Sequence, residues 1–175
     1  MVSMRVIFVG GVHGVGKSTL ARMLAERLGG TFYSAGQLIK SGLANGLTSD
    51  KRVSNVDGNQ AVLISEFSRA KERDLPKVIV LDGHFVLAVV TGNIVPVSFS
   101  VFRELGITEI LCVVDKPDEI RKRLSQRDGA APEGVDVDAM QVAEAGRARE
   151  VSMMLGVPLH FGTPSELARL ELLAK

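Results

Sequence analysis

Hydrophobic residues along this chain alternate between short continuous runs and stretches with helical spacing. Apolar runs at 4–9, 31–34, 77–82, 109–114 and 157–161 are too short for stable helices and read as strands. Between them, apolar residues recur three and four apart, which predicts helices over 17–28, 36–44, 59–73, 97–105, 117–127, 137–155 and 164–174. The first helix is carried by Leu20, Met23, Leu24 and Leu28, and Gly29-Gly30 stop it. Strands that read as nearly unbroken Val/Ile/Leu runs are buried on both faces, as in a parallel sheet covered by helices. The expected fold class is therefore α/β, a three-layer sandwich with a five-stranded parallel sheet and helices on both faces. At 175 residues the expectation is one domain over 1–175.

Two polar stretches interrupt the alternation. The first runs from about Gly42 to Gly58 and is rich in turn residues, and the second is the segment 127–136 between two helices. Connections of this length often form lids or binding loops. Substrate specificity is expected to reside there.

The turn after the first strand reads Gly11-Val12-His13-Gly14-Val15-Gly16-Lys17-Ser18, followed by Thr19. This is a complete G-x-x-x-x-G-K-[ST] loop, flanked by a strand before and a helix after, as such a loop requires. Its glycines let backbone N–H groups and the helix N-terminus point at a polyphosphate. Lys17 reaches the terminal phosphates, and the Ser18 hydroxyl is a ligand for Mg²⁺. The motif implies a P-loop NTPase fold and a bound nucleoside triphosphate, with ATP and Mg²⁺ as expected cofactors.

Composition narrows the partners. A net charge of +1 gives no general basic footprint, so nucleic acid is not indicated. No apolar run approaches the roughly 20 residues of a membrane span, and no leader pattern precedes the first strand. The lone Cys112 sits in an apolar run and reads as a buried small hydrophobe. A cytoplasmic location is the expectation.

Other candidate residues gather around the loop. Lys77-Val78-Ile79-Val80-Leu81-Asp82 is an apolar strand ending in a carboxylate, a form suited to holding Mg²⁺ beside the phosphates. Asp82 is the expected second metal residue, with Ser18 the first. His84 follows at the same sheet edge, where it orients a water, touches a phosphate or bonds Asp82. His13 reads as a loop side chain facing solvent or a lid, and His160 as structural with no visible partner. Arg123 and Arg127 stand four apart on one helical face, suited to clamping a transferring phosphoryl group. Arg147 and Arg149 approach from the next long helix. No second acidic motif is as clear as Asp82, which tilts the acceptor toward a phosphate oxyanion that needs no base.

The pattern resembles the small P-loop nucleoside monophosphate kinases, closest to the archaeal-type adenylate kinases and the related adenylate-kinase-like ATPases of ribosome maturation. The resemblance rests on 11–19, on Phe32-Tyr33-Ser34-Ala35-Gly36-Gln37-Leu38, on Leu81-Asp82-Gly83-His84, on Pro96, on Val113-Val114-Asp115 with its arginine-rich helix, and on Arg147. It implies a monophosphate-binding insertion over about 36–75 and a small lid over about 127–136. It departs where such kinases place arginine in the monophosphate segment, since Ser54-Asn55 stand there with Lys51 and Arg52 shortly before. The lid, too, continues from Arg127-Asp128 into Gly129-Ala130-Ala131-Pro132, where the family carries further arginines.

The resulting expectation is a kinase acting on a nucleotide substrate, with AMP the first acceptor. Lys17, Asp82, His84, Arg123 and Arg127 are its expected catalytic residues, and Gln37, Arg52, Gln60 and Arg147 its acceptor-site residues. Two alternatives stand beside it: an ATPase switch with a protein partner, in ribosome or complex assembly, and a kinase of another small metabolite.

Overall fold

The computed structural model describes residues 4–46, 55–88, 93–128 and 136–171. Its centre is β1 (Arg5–Gly10), whose side chains alternate between two cores. Ile7 and Val9 enter one core, and Val6 and Phe8 the other, as the two-residue period of a strand dictates. Next come α1 (Lys17–Arg27), β2 (Thr31–Ser34), α2 (Ala35–Ala44), α3 (Asn55–Asp74) and β3 (Val78–Gly83). A short antiparallel pair, β4 (Val86–Ala88) and β5 (Ile94–Pro96), precedes α4 (Phe99–Leu105) and β6 (Glu109–Val113). The chain finishes with α5 (Pro117–Asp128), α6 (Val137–Leu155), β7 (Leu159–Gly162) and α7 (Pro164–Ala168).

Five strands form one parallel sheet in the order β2-β3-β1-β6-β7. The expected five-stranded sheet with helices on both faces is present. Helices α1, α5 and α7 cover one face through Leu20, Leu24, Ile120, Leu124 and Leu167. The other is covered by α3, α4 and the later part of α6, through Phe67, Phe102, Leu105 and Val151. Leu24, on the first of these faces, is completely buried in the core that also holds Ile7 and Val80. Truncating it to alanine should cost about 2–5 kcal/mol, read as a lowered urea midpoint with an unchanged slope.

Because β3 and β6 flank β1 on opposite sides, the chain leaves β1 at a topological switch point. In open parallel sheets that is where the crevice for a ligand opens. Three local differences from the sequence reading stand out. The antiparallel pair was not anticipated, because three-residue strands leave almost no period to detect. The last helix, started by a capping box between Thr163 and Glu166, ends at Ala168, where Arg27 donates to the carbonyls of Ala168 and Leu170. The polar stretch 42–58 is partly helical: α2 runs through Ala44, α3 begins at Asn55, and 47–54 lie outside the described residues.

Candidate functional site: a phosphate loop and the cavity beside it

The loop 11–18 connects β1 to α1, and α1 begins without a side-chain cap. Its N-cap is Gly16 in the left-handed region at φ 97°, so no serine or aspartate oxygen takes up the first N–H groups of the helix. Those donors, with the positive end of the helix dipole, suit an anion. Gly14 is also left-handed, at φ 80°, and a Cβ there would lie 2.7 Å from Leu124 Cγ. Only glycine lets α5 pack this closely on the loop.

Lys17 is 8% exposed, and its ammonium donates to the Val12 carbonyl at 3.3 Å. Burial pushes its pKa below the usual lysine value; Asp82 and Glu144 pull it back up, while Arg127 adds to the lowering. Asp82, 4% exposed at the end of β3, accepts a hydrogen bond from the Ser18 hydroxyl. A hydroxyl and a carboxylate meeting beside a buried lysine form a hard oxygen donor set of the kind Mg²⁺ prefers.

Both predicted arginines face the loop. Arg123, Arg127 and Leu124 line a cleft of about 240 Å³ with His13, Gly14, Gly16, Lys17, Ser18 and Thr19. Arg123 pairs with Asp115 at 2.6 Å and reaches the carbonyls of Gly14 and Val15 at 3.4 Å each. Burial pushes the Asp115 carboxyl up, but the Arg123 guanidinium and the Lys116 N–H outweigh it and hold the pKa below the usual value.

On the other side of the loop a cavity of about 310 Å³ opens onto Lys17, Ser18 and Asp82. Its walls are mostly apolar, with Ile39, Leu63, Val101 and Phe102 among them, and Ser34, Asn59 and Gln60 supply neutral polar groups. Gln60, one of the expected acceptor-site residues, lines this cavity and accepts the Ser98 N–H at 3.2 Å. Two other acceptor-site expectations do not reach the cavity. Gln37 faces a separate cleft with Tyr33, Glu66 and Arg73, because it lies on the outer side of α2. Arg147 donates to the Val97 carbonyl and pairs with Glu150, both at 2.8 Å, bracing the start of α4 instead of lining the site. Arg52 lies outside the described residues, as does the expected lid from Gly129 to Val135.

The histidines differ from expectation too. His160 has a partner, with Nε2 3.4 Å from Glu109 Oε1. His13 is exposed, yet its ring packs on that of His84 with centroids 4.4 Å apart. His84 Nδ1 lies 2.9 Å from Oε1 of Glu144, whose Oε2 accepts the Phe85 N–H at 2.8 Å. Glu144 is the acidic group that the sequence reading lacked. Cys112 is buried as expected, and burial pushes its thiol up to about 12.

The model of a family described as AAA domain matches residues 10–142, which span the phosphate loop, Asp82 and the arginines of α5. The chain belongs to that family. No curated protein sequence matches it as a relative. Among solved structures, it is similar to a sugar kinase from Janibacter sp. HTCC2649 at 17% identity and TM-score 0.56, covering 94% of this chain and 90% of that one. A gluconokinase from Sinorhizobium meliloti 1021 superposes at 14% identity and TM-score 0.55, covering 94% and 87%. A shikimate kinase from Bacteroides thetaiotaomicron does so at 14% and 0.54, covering 95% and 96%. These likenesses establish a P-loop kinase fold and do not single out an adenylate kinase. No helix of the described residues is long and apolar enough to cross a membrane.

Proposed function

We propose that this chain transfers the γ-phosphoryl group of ATP to a nucleoside monophosphate, with AMP the first acceptor to test. The observation that carries the reading is the cavity opening onto Lys17, Ser18 and Asp82. Apolar walls suit the faces of a nucleobase, and the amides of Asn59 and Gln60 suit its polar edge. A monophosphate brings its own oxyanion, so the site must position it and neutralise charge without a base. Lys17 tracks the transferring group, and Arg123 and Arg127 close on it from α5. Mg²⁺, held by Ser18 and Asp82, would offset phosphate charge.

The names of the three kinase neighbours supply a second reading, a kinase of a small hydroxyl-bearing metabolite. ADP formation from ATP and Mg²⁺ should be followed with a panel of nucleoside monophosphates, a panel of sugars and sugar acids, and water alone. The expected result is turnover that depends on a monophosphate. Dependence on a sugar or sugar acid would replace the acceptor, and equal rates in every well would leave only an ATPase.

A further inference from the structure

Arg147 does not line the acceptor cavity, yet it holds the chain where β5 passes into α4. Its Nη2 donates to the Val97 carbonyl at 2.8 Å. The N–H of the following residue, Ser98, donates to Gln60 Oε1 at 3.2 Å. That carbonyl and that N–H belong to one peptide unit, which is planar and trans. Its C=O and N–H therefore point in opposite directions and can only turn together. Arg147 on α6 and Gln60 on α3 grip the two ends of a single rigid plane. A rotation that frees the carbonyl from Arg147 also carries the N–H away from Gln60.

The grip decides which end of the Gln60 amide is presented. A backbone N–H only donates, so the end facing Ser98 is the oxygen. Nε2 keeps both of its N–H groups and has no partner among the described residues. Gln60 lines the cavity together with Val97, and with Val101 and Phe102 of α4. Its free donors suit a ring nitrogen or carbonyl oxygen of a bound base. Released from Ser98, the amide turns about its last bond and offers either end.

The Arg147 side chain is built for this one contact. Its Nε is buried without a hydrogen-bond partner. An unpaired buried N–H is costly, so the guanidinium plane follows its bonds to Val97 and Glu150 and not the saturation of every donor. The Glu150 side chain is 59% exposed, and a pair that open to solvent contributes little. The Val97 carbonyl is what remains.

We propose that Arg147 is a positioning residue for the acceptor: through the Val97–Ser98 peptide it fixes the Gln60 amide with its N–H donors free for the acceptor's base. The role in catalysis rests on the reading that the cavity takes a nucleoside monophosphate. No residue of the phosphate loop takes part in these bonds, so ATP affinity should not depend on them.

Arg147→Met removes the donors and keeps an apolar stem. The KM for the monophosphate is expected to rise about three- to tenfold, the worth of one neutral hydrogen bond. The KM for ATP and kcat should stay within about twofold, as for a contact made equally in ground and transition states. Gln60→Ala should raise the acceptor KM by a similar factor, and adding Arg147→Met to it should raise it no further. Arg147→Lys keeps a donor for the carbonyl and should recover most of the loss. Glu150→Gln leaves the Val97 bond intact and should change neither KM. Amide exchange followed by NMR on the ligand-free protein reads the peptide directly. The Ser98 N–H should exchange faster in Arg147→Met and in Gln60→Ala than in the parent.

Ser98 exchange unchanged in Arg147→Met overturns the coupling, whatever the acceptor is. Additive effects in the double variant overturn it too, as does an ATP KM that rises with the acceptor KM, since either marks Arg147 as a general brace. Should Arg147→Met not fold, Arg147→Gln, too short to reach the carbonyl, takes its place. If a sugar or sugar acid drives ADP formation instead of a monophosphate, only the acceptor reading falls. The same KM comparison on that compound then decides the role of Arg147, and a KM that does not move overturns it. Turnover with water alone removes the acceptor and this role with it.

Discussion

Lys17→Ala is expected to lower turnover by about 10²-fold or more while weakening ATP binding far less. The two effects separate because the loop holds phosphate in two different ways. Its N–H groups and the uncapped start of α1 stay in place when the side chain is removed. The mobile part of the charge goes, and it is the part that follows the γ-phosphoryl as negative charge spreads over its oxygens. The ammonium is buried and attracted by the charges of Asp82 and Glu144, and Arg127 alone does not replace it. Steady-state turnover and equilibrium binding of a non-hydrolysable ATP analogue would be measured on the same preparation. Turnover within threefold of the parent would remove Lys17 from the chemistry. Binding lost in proportion to turnover would mean that the side chain, and not the backbone, holds the nucleotide.

The phosphate loop was legible in the sequence because its chemistry is local. Strand, glycine turn and helix are contiguous, and the lysine and serine follow within the same turn. Asp82 was legible for a related reason, as an apolar strand ending in a carboxylate carries its own address at the sheet edge. Arg123 and Arg127 were found from helical spacing, and both face the loop. Arg147 and Gln37 show the limit of that approach, since residue type gives chemistry but not direction. The Arg147 side chain turns to the Val97 carbonyl, and Gln37 lies on the outer side of α2. Glu144 was missed although a signal existed. It shares one row of α6 with Val137, Met140, Ala148 and Val151, all buried, and an acid on an apolar stripe calls for a buried partner. That partner, His84, comes from the turn between β3 and β4 and meets it only through the packing of α6 on the sheet.

Asp82→Asn is the second substitution with a large expected effect, again about 10²-fold or more in turnover. Asparagine keeps the volume and can still accept from the Ser18 hydroxyl, so the fold should survive. What it removes is a negative charge 4% exposed at the end of β3. Two consequences follow from that one charge. The oxygen pair offered to Mg²⁺ becomes neutral, and a hard divalent cation gains far less from an amide than from a carboxylate. Lys17 also loses the largest opposing charge that supports its buried ammonium, with Glu144 left as the remaining anion. The Mg²⁺ concentration for half-maximal turnover should therefore rise at least about tenfold in Asp82→Asn, while the thermal midpoint changes little. Ser18→Ala, which leaves the carboxylate in place, should shift the same Mg²⁺ dependence by a smaller factor. A variant whose turnover collapses with an unchanged Mg²⁺ dependence would place Asp82 with Lys17 as a charge partner and not with the metal.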